Sequence, residues 1–173
     1  MIGNTVARGA LPMLSKRAAA GARPAAAILR RGYAEAVDSS KIKLSLVLPH
    51  ESIFSSQEVT QVNIAAASGD MGILANHVPA IEPLKPGVIE VIESAGQSKK
   101  WFASGGFANI HPSNSITINA VEAFPLEDFS PEAVRAGLQE AERVVNGSGS
   151  EAEKAEARVE VEVFEALQAA LKQ

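Results

Sequence analysis

Lys100-Trp-Phe-Ala-Ser-Gly-Gly-Phe-Ala-Asn-Ile-His-Pro-Ser-Asn-Ser-Ile-Thr-Ile-Asn-Ala120 packs three short apolar runs and two turn signals into one stretch. Its first two runs, Lys100–Ala103 and Phe107–Ile110, flank Ser104-Gly105-Gly106, a glycine turn that suits a β-hairpin. His111-Pro112-Ser113-Asn114 supplies the next reversal, after which Ile116, Ile118 and Ala120 alternate with polar residues. The same texture extends upstream. Ile42, Leu44, Leu46 and Leu48 alternate with Lys43, Ser45 and Val47, the pattern of a half-buried strand. Val62, Ile64 and Ala66 repeat it, and Gly87–Glu93 is a β-branched run. Short strands at close spacing predict an antiparallel β-sandwich over residues 41–126.

The period changes after Phe124-Pro125. Ser130 can cap a helix, with Pro131 at its first position where the missing N–H costs nothing. Val134, Leu138, Ala141 and Val145 follow at helical spacing, and Asn146-Gly147-Ser148-Gly149 ends the run. Ser150 opens a second helix, with Glu153 completing a capping box. Residues 130–173 therefore read as an αα-hairpin. The second helix carries two apolar stripes, Ala155-Val159-Val163-Ala166-Ala170 and Val161-Phe164-Leu167-Leu171. One stripe suffices to pack a hairpin partner. Whether both pack inside this chain or one meets another protein stays open at this stage. The hairpin is alanine-rich, which favours helix but buries little area.

Residues 1–34 have another composition. They hold six basic residues (Arg8, Lys16, Arg17, Arg23, Arg30, Arg31) and no acid, and they close on Arg31-Gly-Tyr-Ala34. That is the composition of a mitochondrial transit peptide, with 35–40 as a linker. The alternative is a basic arm for nucleic acid or an acidic membrane surface. Taking those six from the sixteen basic residues leaves ten against all twenty acidic ones, a balance near −10. Such a body is a poor match for a phosphate backbone. No cysteine is present, which excludes disulfides and thiolate chemistry. No run of apolar residues reaches membrane-spanning length, so membrane association is expected only through a partner.

Catalytic arrangements are missing. His50, His77 and His111 lie too far apart in sequence for a short metal-ligand spacing. There is no nucleophile elbow, His-Glu-x-x-His pair or P-loop. The acids of 151–165 alternate with alanine and valine and read as a solvated helix face. Glu132 and Arg135 read as an exposed i,i+3 pair. No cofactor, metal or catalytic residue is expected.

A different kind of signal lies in Ser68-Gly-Asp-Met-Gly-Ile-Leu-Ala-Asn-His77 with Val78-Pro79, and in Leu84-Lys-Pro-Gly-Val88. Together with Ser104-Gly-Gly-Phe107 and the Asn-x-His-Pro turn after it, this resembles one family over residues 41–173. That family is the small central-stalk subunit of F-type ATP synthases, called delta in mitochondria and epsilon in bacteria. The basic leader points to the mitochondrial branch, in precursor form. The resemblance implies a non-catalytic rotor part at the mitochondrial inner membrane, on the matrix side. Its implied partners are the gamma subunit, the membrane c-ring and the small epsilon subunit. It also implies a contact surface, for which Ser68, Gly69, Asp70, Met71, Gly72 and His77 are the candidates; glycines allow close approach, and Asp70 is an acid with no base beside it in sequence. Bacterial members can bind ATP through Asp-x-x-Arg-Ala. This chain has Glu132-Ala-Val-Arg135-Ala136, so Glu132 and Arg135 are only weak nucleotide candidates, and a regulatory ATP-sensing hairpin is the alternative function.

Overall fold

The computed structural model describes residues 40–93 and 96–172. The expected transit peptide and all of the linker but Ser40 lie outside them. Among the described residues ten strands come first: β1 (Ile42–Val47), β2 (Ser52–Val59), β3 (Gln61–Ala66), β4 (Gly69–Leu74), β5 (Ala80–Leu84), β6 (Gly87–Ile92), β7 (Ser98–Ala103), β8 (Gly106–His111), β9 (Ser115–Ala120) and β10 (Ala123–Pro125). A 3-10 turn at Leu126–Asp128 leads into α1 (Pro131–Val145) and α2 (Glu151–Ala170).

The strands form two layers, β4-β3-β6-β7-β10 and β5-β8-β9-β1-β2, joined at one corner where Ala66 of β3 pairs with Leu84 of β5. Alternation decides which side chains enter the space between the layers. Ile42, Leu44 and Leu46 of β1, Val62 and Ile64 of β3, and Ile116 and Ile118 of β9 are all buried there. Ile73 of β4 and Ile89 and Val91 of β6 join them. Each such burial is worth about 1.5–3 kcal/mol. Phe54 and Trp101 close one end of the core edge to face, with centroids 4.8 Å apart. The sandwich is antiparallel with one exception: β1 runs parallel to β9, inserted between it and β2.

The glycine turn does something other than make a hairpin. β7 pairs with β6 and β10, whereas β8 pairs with β5 and β9. Ser104-Gly105-Gly106 therefore carries the chain from one layer to the other. Gly105 and Gly106 have φ of 154° and 144°, a region that other residues resist. The tight reversal is the next one, where His111 pairs with Ser115 across the β8–β9 turn.

In the hairpin the capping residues act as their types demand. Ala133 N–H donates to Ser130 Oγ, and Pro131 is the first helical residue. At α2, Glu153 N–H donates to Ser150 Oγ at 3.3 Å while Ser150 N–H donates to Glu153 Oε2 at 2.7 Å. The Ser150 backbone N–H, and then its hydroxyl, hold the Glu153 carboxyl below the usual range. Gly137 of α1 lets the two helices close on Phe164, whose ring atoms would lie 2.6 Å from a Cβ there.

The hairpin docks on the outer side of the β6–β7 pair. Phe102, Val134, Leu167 and Ala170 form a second buried cluster, with Val88, Phe129 and Phe164 packed around it. Of the two α2 stripes, the one with Phe164 and Leu167 packs inside this chain. The other does so only in its second half, at Val163, Ala166 and Ala170; Ala155 is exposed and Val159 is 61% exposed.

Candidate partner-contact site

The Ser68–His77 stretch, for all its turn residues, is mostly a strand. Ala67 and Ser68 make the turn, and Gly69–Leu74 pairs residue by residue with β3 from Ala66↔Gly69 to Gln61↔Leu74. Its two glycines give it little strand propensity of its own. Ile73, fully buried, and Met71, packed against the core, pull it into the layer. Among the described residues β4 has β3 as its only strand neighbour, so it is an edge strand and its outer edge is unpaired.

The tip of this edge is built from segments far apart in sequence. Lys85 N–H donates to Ala65 O, and Ala67 N–H to Pro83 O, which ties the β5–β6 turn to the β3–β4 turn. Ala65 pairs with Asp70, so the Lys85 ammonium comes within 3.4 Å of the Asp70 carboxylate. No base stands beside Asp70 in sequence, and strand pairing delivers one from fifteen positions on. Both partners remain exposed, at 84% for the Asp70 side chain and 46% for Lys85. Ser68 Oγ donates to Glu82 Oε2 at 2.8 Å. Gly72 lies under the Gln61 and Asn63 side chains, each of which would be 3.1 Å from a Cβ there. Asn63 in turn donates to Glu90 at 2.9 Å.

The candidates thus divide. Ser68, Gly69, Asp70 and Met71 share the tip with Lys85. Gly72 is mid-strand and exposed. His77 is at the far end of β4, half-buried, with Nδ1 2.8 Å from Val78 O. The neighbouring Asn76 N–H donates to the Asn114 side chain at 2.6 Å. Lys85 is the residue that sequence reasoning left out of the set, although the Leu84-Lys-Pro-Gly-Val88 motif was its signal.

The three most specific pieces of the resemblance meet at this corner. Across neighbouring strands, Ala66, Leu84, Gly106 and Ala120 stand in one row of paired residues. A Cβ on Gly106 would fall 2.1 Å from Asn119 O, and one on Gly87 would fall 2.5 Å from the Ala65 Cβ. At Gly106 and Gly87, therefore, glycine is required by close approach of the paired strand and of Ala65. A cleft of about 520 Å³ lies between this corner and the foot of α2, lined by Asp70, Lys85, Glu90, Lys100, Ala166 and Ala170. Its acids and bases include the Asp70–Lys85 pair and no nucleophile–base couple.

Glu132 and Arg135 are not brought together. Both are exposed on α1, and among the described residues no hydrogen bond or ion pair joins them. The i,i+3 pair on this helix is Glu140–Arg143, where the guanidinium holds the Glu140 carboxyl below its usual range through a hydrogen bond. Neither the three histidines nor any acids form a metal-holding group of three or more among the described residues.

Comparison with known proteins bears on the fold and the family. The family model described as "ATP synthase, Delta/Epsilon chain, beta-sandwich domain" matches residues 41–126. That of the "Fungal epsilon subunit of F1F0-ATP synthase C-terminal domain" matches 129–169. The chain is 68% identical to the mitochondrial ATP synthase subunit delta of Agaricus bisporus over 84% of its own length and 88% of that protein's. It is 60% identical to the Neurospora crassa subunit of the same name, over 90% and 96%. A chain in the Euglena gracilis mitochondrial ATP synthase OSCP/F1/c-ring structure superposes with a TM-score of 0.73 at 35% identity, covering 76% of this chain and 82% of that one. A chain of the Tetrahymena thermophila central stalk and c-ring structure shares the fold, with a TM-score of 0.58 at 17% identity.

Proposed function

Because the chain belongs to the delta/epsilon family of ATP synthase subunits, we propose that it is a central-stalk part of a mitochondrial ATP synthase, one that does no chemistry itself. The observation that carries this is the reach of the likeness: it takes in the sandwich and the hairpin together, in the same order, at up to 68% identity. In this reading the sandwich stands on the c-ring, the hairpin lies beside gamma, and the small epsilon subunit packs against the chain. Rotation of the ring then passes through these contacts to the catalytic head. Residues 1–34 are removed on import, leaving the sandwich (41–126) and the hairpin (130–173). Among the described residues no helix is long and apolar enough to cross a membrane, which suits attachment to the matrix side of the inner membrane through the complex.

The test is copurification from mitochondria. The chain should come out with gamma, the c-ring and the small epsilon subunit, and its N-terminal sequence should begin at or next to Ala34. A chain that purifies alone would overturn the assembly reading, and one beginning at Met1 would overturn the presequence.

The β4 tip is the surface we assign to the ring's polar loops. Asp70 keeps most of its surface in water beside Lys85, so an outside cation can still reach it. Asp70→Lys should change the stability of the isolated chain by no more than about 1 kcal/mol, since exposed pairs are worth little. Coupling of ATP hydrolysis to proton pumping should weaken in the assembled complex. A clear fall in melting temperature with normal coupling would place Asp70 in the fold and not at a contact.

The ATP-sensing alternative has a definite obstacle: Glu132 and Arg135 are apart, exposed and unjoined. Titration of the chain with MgATP should give no saturable heat. A one-to-one isotherm abolished by Arg135→Ala would restore the sensor.

A further inference from the structure

The hairpin turn holds an Asn-Gly pair, Asn146-Gly147, in the exposed segment between α1 and α2. From its place and its bonds we infer that Asn146 is a site of spontaneous deamidation, and that its conversion loosens the hairpin. This goes beyond the stalk function and does not depend on it.

The chemistry needs only water. The Gly147 backbone nitrogen attacks Asn146 Cγ, the side-chain nitrogen leaves as ammonia with the displaced proton, and a cyclic imide forms. Water reopens the imide at either carbonyl and leaves aspartate or isoaspartate. One water enters and one ammonia departs. Glycine in the following position removes the Cβ that would hinder the approach and lets the backbone adopt the attacking geometry.

The fold opposes the reaction with two hydrogen bonds. Gly147 N–H donates to Val144 O at 3.1 Å, which holds the nucleophile in the last turn of the helix. Asn146 Nδ2 donates to Glu142 O at 2.9 Å, which holds the electrophile against a backbone carbonyl. Asn146 itself sits at φ −88° and ψ −5°, a helical geometry that keeps the nitrogen off Cγ. Release of this cap frees both groups at once. The products cannot restore it. A carboxylate is an acceptor only, so the bond to Glu142 O is lost. It also sets a negative charge at the negative end of α1. The other exposed asparagines among the described residues lack the glycine: Asn76 precedes His77 and Asn119 precedes Ala120; the half-buried Asn114 precedes Ser115.

The full chain is incubated in warm neutral buffer, with and without urea sufficient to melt the hairpin. It is then digested, and amide loss and isoaspartate are mapped by mass spectrometry and an isoaspartyl methyltransferase. Amide loss should appear at Asn146 before Asn76, Asn114 or any other asparagine, and should run several-fold faster in urea. Gly147→Ala should slow it several-fold in urea, where folding differences no longer matter. Loss elsewhere first, or an intact Asn146 in urea, overturns the assignment. Asn146→Asp imitates one product and should lose helical circular dichroism at a lower temperature than the parent chain. Equal melting overturns the claim that conversion loosens the hairpin.

Discussion

Gly106→Ala should leave the chain without a stable sandwich. The added methyl would fall 2.1 Å from Asn119 O and 2.8 Å from Ala120 Cα, both backbone atoms of the paired strand β9. At φ 144° the alanine would be strained even in open space. Neither penalty can be relieved by turning a side chain. The strand must move, and with it the row that joins the two layers. A loss on the order of 4 kcal/mol or more is expected, at the far end of what single substitutions do. Urea denaturation followed by Trp101 fluorescence checks it. A midpoint close to that of the parent chain would mean that this corner is not tightly packed in solution.

Phe102→Ala should separate the two halves of the molecule. Phe102 points away from the main core and into the cluster with Val134, Leu167 and Ala170, and meets the Phe129 ring edge to face at 5.9 Å. Its removal takes out the largest side chain of that cluster, at a cost of about 3–5 kcal/mol if the cavity stays open. The buried side chains that remain are Val134, Leu167 and Ala170, with Phe129 and Phe164 only partly buried around them. Each helix is short enough to be marginal once undocked. Helical circular dichroism should therefore melt at a lower temperature, with the Trp101 signal of the sandwich changing later. A single shared transition would show instead that sandwich and hairpin fold as one cooperative unit.

What the sequence made legible follows the range of the interactions. Alternation at Ile42, Leu44 and Leu46 depends on one strand and one buried side, and it held. The Ser130 and Ser150 caps are matters of three or four residues, and they held as well. Glycines 105 and 106 showed that the chain turns, but not which strands pair afterwards. Pairing depends on the partners that β5 and β9 offer, residues well removed along the chain. The same distance hid Lys85 from Asp70. β2, with Ser55-Ser-Gln-Glu58 in its middle, shows no alternation because it is an edge strand with bulges against β1. The two stripes of α2 were plain in sequence. Their breadth could not say that the sandwich ends below Val159, because that is set by where the hairpin docks.

The corner at Ala66 and Leu84 bears on how the molecule would carry a twisting load. Two layers held only by side-chain packing can slide across each other, since dispersion contacts have little directional preference. Here the layers share a continuous backbone ladder through Ala66, Leu84, Gly106 and Ala120. Sliding would stretch hydrogen bonds along their own axes, where they are stiff. A torque applied at the β4 tip would then reach β9 and β1 with little slip between the layers. The sandwich would behave as a washer with one welded edge, and its compliance would reside in the hairpin.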